Sequence, residues 1–96
     1  MSLKKYLNPS EKITVFSKYN CSECSKIKSF LEENHQDYKY INISNISNDD
    51  DEIFEIIDEL KQITKTSSFP FCFFYGSYIS ANELKKKLIF ETTEDF

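Results

Sequence analysis

No apolar stretch of the 96-residue sequence approaches the ~20 residues that a membrane-spanning helix needs, which excludes a transmembrane segment. The first twelve residues, Met1 to Lys12, lack an apolar core of the kind a secretory signal carries, so the expected location is the cytoplasm. Cysteine is scarce and odd in number, at three, and this argues against a disulfide-stapled scaffold and in favour of redox or metal chemistry. Arginine is absent altogether, and lysine supplies all twelve basic side chains. With frequent Asn and Ile, that bias reads as the mark of an AT-rich coding genome and carries no chemistry. The net charge of −4 disfavours nucleic acid and anionic membranes as partners.

What is abundant is aromatic: nine Phe and six Tyr, large rings able to supply much of the buried area of a small core. One domain over residues 1–96, with its core at about 12–90, and a monomeric state are expected.

Hydrophobic periodicity orders the chain. Leu3, Tyr6 and Leu7 suit a short helical turn, broken at Pro9-Ser10. Ile13-Thr14-Val15-Phe16 has strand length and β-branched, aromatic composition. From Ser22, Cys24, Ile27, Phe30 and Leu31 recur at spacings of three and four, predicting a helix that ends near Asn34. Tyr38, Tyr40, Ile41 and Ile43 predict a second strand, followed by a solvated stretch from Ser44 to an acidic helix start at Asp51. Ile53, Ile56, Ile57, Leu60 and Ile63 mark the second helix, and Thr64 to Ser68 a polar loop. Phe71-Cys72-Phe73-Phe74 reads as a buried strand, Tyr75-Gly76 as a hairpin turn and Tyr78-Ile79 as a fourth strand. A third helix starts at Ala81 or Asn82 and carries Leu84, Leu88 and Ile89; the tail from Glu91 is expected to fray. The order is β-α-β-α-β-β-α. Its first unit demands a parallel pair with a right-handed crossover, so the expected fold is α/β, a mixed four-stranded sheet flanked by helices.

Cys21-Ser22-Glu23-Cys24 falls between the first strand and the first helix. There Cys21 faces unpaired backbone N–H groups and the positive end of the helix dipole, and both favour the nucleophilic thiolate. Lys18 adds positive charge, whereas Glu23 opposes it. Cys24, one turn along, is placed to close a disulfide with Cys21. The competing reading of C-x-x-C is half a zinc site, for which His35 and Cys72 are the remaining candidates; without a second C-x-x-C, no metal is expected. Cys72, between two phenylalanines, reads as a core residue.

The segment Ile13 to Cys24, a strand, Ser17-Lys18 and C-x-x-C, resembles the opening of glutaredoxins, and Ser68-Phe69-Pro70 resembles their Thr-Val-Pro segment. The resemblance implies a thioredoxin-like fold and glutathione-dependent reduction of protein or mixed disulfides, with Cys21 and Cys24 catalytic. It implies a cis Pro70, with Phe69 offering its backbone to glutathione and Lys18 meeting a glutathione carboxylate; Tyr19 is a candidate to line the groove, its alternative being to cover the loop. Ile79-Ser80-Ala81-Asn82-Glu83 stands where the family has Gly-Gly and an Asp for the γ-glutamyl end, so Asn82 or Glu83 must substitute, and glutathione binding is expected to be weakened or altered. Two alternatives follow: an electron donor reduced by thioredoxin reductase, serving for example ribonucleotide reductase, and a module bridging a [2Fe–2S] cluster.

Overall fold

A computed structural model describes residues 2–93. A short 3₁₀ turn (Ser2–Lys5) precedes β1 (Ile13–Ser17), α1 (Ser22–Glu33) and β2 (Lys39–Asn42). A second 3₁₀ turn (Ile43–Asn45) leads into α2 (Asp50–Thr64), β3 (Phe71–Phe74), β4 (Ser77–Ile79) and α3 (Ala81–Thr93). The sheet order is β2-β1-β3-β4; β1 runs parallel to β2 and antiparallel to β3, and β3 is antiparallel to β4. This is the mixed α/β arrangement the element order implied.

Alternation along the two inner strands decides what each face of the sheet holds. Ile13, Val15 and Cys72 point to one side, where Ile27 and Leu31 of α1 and Leu84 and Leu88 of α3 cover them. Phe16, Phe71 and Phe73 point to the other, against Ile56 and Leu60 of α2 and Leu3 of the first 3₁₀ turn. Every residue of β1 is buried, as a strand covered on both faces must be. Phe16 and Phe73 meet edge-on at 5.7 Å, a geometry worth ~0.5–1.5 kcal/mol beyond the area it buries.

The helix ends follow local chemistry. Asp49 caps α2 by accepting the Asp51 N–H, and Asp50, Asp51 and Glu52 occupy the first turn, where the dipole favours carboxylates. After α1 the chain turns through a left-handed His35, whose N–H donates to Glu32 O while that of Gln36 donates to Leu31 O, a Schellman closure. With a single glycine in the chain, left-handed backbone falls to Asn20, His35, Lys65 and Tyr75 as well as to Gly76.

Four expectations need correction. Tyr38 and Ile43 lie outside β2; Ile43 belongs to the following 3₁₀ turn and is buried there, because Asn42 caps that turn by accepting the Ser44 N–H. Thr64 is not in a polar loop but closes α2, buried, its hydroxyl donating to Leu60 O at 2.7 Å. Ile63 and Ile89, counted among the apolar positions of the second and third helices, are 45% and 49% exposed and so stand outside their buried stripes. The segment expected to fray from Glu91 is helical to Thr93; positions 94–96 lie outside the described residues.

Candidate functional site

β1 delivers the chain to the top of the sheet at Ser17, whose hydroxyl is tied to Ile41 O on the neighbouring strand at 3.2 Å. The connector Lys18-Tyr19-Asn20 is exposed and turns through left-handed Asn20 (φ 56°). Cys21 is then the N-cap of α1 in extended geometry (φ −112°, ψ 103°). Its Sγ accepts the backbone N–H of Cys24 at 3.2 Å, so a sulfur stands where Ser or Asp usually caps a helix. Cys21 and Cys24 are joined as a disulfide, with Cα atoms 5.3 Å apart. Cys21 is half-buried, whereas Cys24 is 1% exposed on the inner face of α1. The outer sulfur can therefore meet a partner in solution, and the inner one reacts only through it.

Charge around the pair is arranged unevenly. Glu23 is held by Lys26, one turn along, at 3.1 Å, and the two side chains are equally exposed. That pairing offsets the carboxylate's opposition to an anionic Cys21. Lys18 lies over the Phe69 ring, its Nζ 5.4 Å from the centroid, so the aromatic face fixes the ammonium beside the site. Tyr19 is exposed and donates its hydroxyl to Asn45 Oδ1 at 2.7 Å. The Phe69–Pro70 peptide is cis, as the resemblance implied, and opens directly into β3.

Lys18, Tyr19 and Cys21 line one shallow hollow of about 510 Å³. Phe69 enters the arrangement beneath Lys18. Asn82 and Glu83 are not among the residues lining that hollow: both are exposed on the first turn of α3, where Ser80 Oγ accepts the Glu83 N–H. The Ser80 hydroxyl thus satisfies one of the open N–H groups at the start of α3, as a capping serine does. Sequence reasoning missed Tyr40, which lines the hollow from β2 with Lys28 Nζ 5.0 Å above its ring. The alternation of Tyr38 and Tyr40 put it on the α1 side of the sheet, but only the β1–β2 pairing carries it to Cys21.

Cys72 and His35 stand apart from the pair. Cys72 is 0% exposed in β3, where burial pushes its thiol up to about 12 against a small opposing pull from Lys85. His35 is exposed beyond α1. Among the described residues, no group of three or more His, Cys, Asp or Glu is placed to hold a metal ion. Tyr38 is raised to about 12 by its hydrogen bond to Glu32 (2.6 Å), then by burial and the same carboxylate's charge; this belongs to the α1–β2 packing and not to the sulfur site.

Comparison with known proteins gives a consistent result. The family model described as Glutaredoxin matches residues 13–79. Among solved structures, a buckwheat glutaredoxin–glutathione complex is 27% identical with a TM-score of 0.78, over 98% of this chain and 89% of that one. A wheat glutaredoxin is 25% identical (TM-score 0.76; 98% and 92% covered). The holo form of glutaredoxin C1 from Populus tremula x tremuloides is 26% identical (TM-score 0.72; 90% and 84% covered). A search of curated protein sequences gives no match.

Proposed function

The chain belongs to the glutaredoxin family, a family of thiol–disulfide oxidoreductases, and from that premise we propose that it reduces protein or mixed disulfides through Cys21 and Cys24 with glutathione as the electron source. The observation that carries this reading is the sulfur of Cys21 at the helix cap, accepting a backbone N–H and half-open to solvent, bonded to a buried second sulfur.

In the reduced protein, Cys21 as thiolate attacks one sulfur of the substrate disulfide. The substrate S–S bond breaks, one thiolate leaves, and Cys21 carries a mixed disulfide. The Cys24 thiolate then attacks Cys21 Sγ, releasing the second substrate thiol and forming the Cys21–Cys24 bond that the structure contains. A glutathione thiolate opens this bond at Cys21, freeing Cys24. A second glutathione attacks the glutathione sulfur, leaving as glutathione disulfide and restoring Cys21. Two electrons pass from two glutathiones to one substrate disulfide.

Each residue has a part in that cycle. The Cys24 N–H and the start of α1 hold negative charge on Cys21 Sγ. Lys18 receives a glutathione carboxylate, with Tyr19 beside it and the Phe69 backbone before Pro70 as the strand-like partner of the cysteinyl part. Asn82 and Glu83 are the candidates for the γ-glutamyl end. Their exposure and their absence from the lining of the hollow favour a weak or absent grip there, which keeps thioredoxin reductase in view as the alternative electron source.

The test is turnover of a small mixed disulfide with glutathione and its reductase, run in parallel with thioredoxin reductase. Turnover with glutathione that disappears in Cys21→Ser supports the proposal. Turnover with thioredoxin reductase alone transfers it to the alternative, and a fully active Cys21→Ser protein ends both.

A further inference from the structure

The hollow at Cys21 does not end at the sulfur. Tyr40 lines it and also lines a second, larger hollow of about 560 Å³ that runs along β2. The two are joined again from above, where Tyr19 in the first donates to Asn45 in the second. β2 is the floor of the second hollow and an edge strand, paired with β1 alone among the described strands. Lys5 and Tyr6, at and after the first 3₁₀ turn, also line it, as does Lys39 of β2.

Charge distinguishes this path from the rest of the molecule. The chain has sixteen carboxylates against twelve lysines, yet three lysines and no carboxylate line the two hollows. Lys18 stands at the sulfur end, and Lys5 and Lys39 at the other. Lys39 Nζ stands 3.9 Å from a Glu11 carboxylate oxygen with both side chains substantially exposed, too loose a pair to cancel its charge. Glu59, against the 3₁₀ turn that carries Lys5, is engaged by the Leu3 N–H. A free strand edge pairs with extended backbone, and tyrosines beside it present flat apolar faces with polar tips.

Resting on the redox reading above, we propose that this path docks the protein substrate: an extended, acidic segment flanking its reactive disulfide, laid from Cys21 past Tyr40 along β2. Lys39 lies three residues along β2 from Asn42, the partner of Ser17 at the sulfur end, so at ~3.3 Å per residue carboxylates about three to six positions from the substrate cysteine fall along the stretch that Lys39 and Lys5 line. The path thus selects among protein disulfides by charge and leaves small disulfides undiscriminated.

The experiment uses the pre-reduced full chain in single turnover, so that its own dithiol supplies both electrons. Two disulfide-linked peptide dimers of equal length serve as probes, one with glutamates three to six residues from the cysteine and the other with glutamines there. Hydroxyethyl disulfide is the small control. The glutamate dimer should react about fivefold to tenfold faster at low salt, the advantage falling as salt screens it. Lys5→Gln with Lys39→Gln should remove most of that advantage and leave the glutamine dimer and the small disulfide unchanged, which also shows that the variant is folded. Equal rates for the two dimers, or an advantage that survives the double variant, overturns the docking proposal. Failure with all three disulfides instead sinks the redox reading on which it rests.

Discussion

Two cysteines of this chain sit in opposite surroundings, and the contrast isolates what makes one of them reactive. Cys21 caps α1, half-exposed, with a backbone N–H directed at its sulfur. Cys72 lies in the middle of β3, fully enclosed between Val15 on the next strand and the side chains of α1 and α3, with its thiol pushed up to about 12. The side chains are chemically identical. What differs is whether the fold leaves a donor and a path to solvent beside the sulfur, so reactivity here is a property of position in the sheet and helix framework and not of residue type.

The largest consequence is kinetic. At pH 7, a thiol with a pKa of about 12 is thiolate in roughly one molecule in 10⁵, and burial removes even that fraction from reagents. In the reduced native protein, iodoacetamide should therefore modify Cys21 about 10⁴-fold faster than Cys72, with Cys72 labelled only after denaturation. Peptide mapping after timed quenching measures the ratio. Comparable labelling of the two would erase the contrast.

Activity follows the same division. Cys21→Ser should lower disulfide turnover by at least about 10³-fold, since a serine hydroxyl is neither ionised nor displaceable at neutral pH. Cys24→Ser should retain reaction with glutathionylated substrates, which need one sulfur, and lose reduction of protein disulfides, which need two. Cys72→Val should leave both reactions unchanged. A defect in Cys72→Val comparable with that of Cys21→Ser would give β3 a chemical role that its burial denies.

Stability against pH tests the buried side of the contrast alone. The folded state raises the Cys72 thiol from 9.0 to about 12, so the unfolded chain loses this proton first. The contribution is complete below pH 9 and is lost as pH rises towards 12, at about 1.4 kcal/mol per pH unit and up to about 4 kcal/mol in all. Tyr38, also raised to about 12 with its phenol exposed, adds a smaller slope of the same sign. Denaturant unfolding at pH 8, 9 and 10 should show the decline in the wild type and a shallower one in Cys72→Val.

The contrast between the two cysteines was largely legible in the sequence, and for a physical reason. Ile13 to Phe16 and the three-four spacing from Cys24 to Leu31 are strong local patterns, and their junction falls on Cys21. Phe71 to Phe74 is apolar on both faces, which only a doubly covered strand tolerates, and this placed Cys72 inside. Less legible was whatever depends on one particular hydrogen-bond partner or on the register between strands. Ile43 belongs to a 3₁₀ turn because Asn42 can cap it, although its side chain continues the strand's apolar sequence. Thr64 reads as loop by composition, yet its hydroxyl finds a partner in Leu60 O and it is buried as helix. Tyr40 reaches the sulfur hollow only through the register of β2 on β1.

The smallest effect concerns the fine adjustment of Cys21. Glu23, between the two cysteines, opposes an anionic sulfur at the helix start, while Lys26 stands 3.1 Å from its carboxylate. Because both side chains are mostly exposed, water and salt screen them, and neither outweighs the backbone N–H fixed on Cys21 Sγ. Glu23→Gln should therefore speed alkylation of Cys21 by only about twofold at low salt, measured below the thiol's own pKa, and Lys26→Gln should slow it by a similar factor. Both changes should vanish at high salt. A much larger change in either variant would mean that the side chains, and not the helix cap, set the character of this sulfur, and the contrast with Cys72 would then rest on sequence neighbours instead of on the fold.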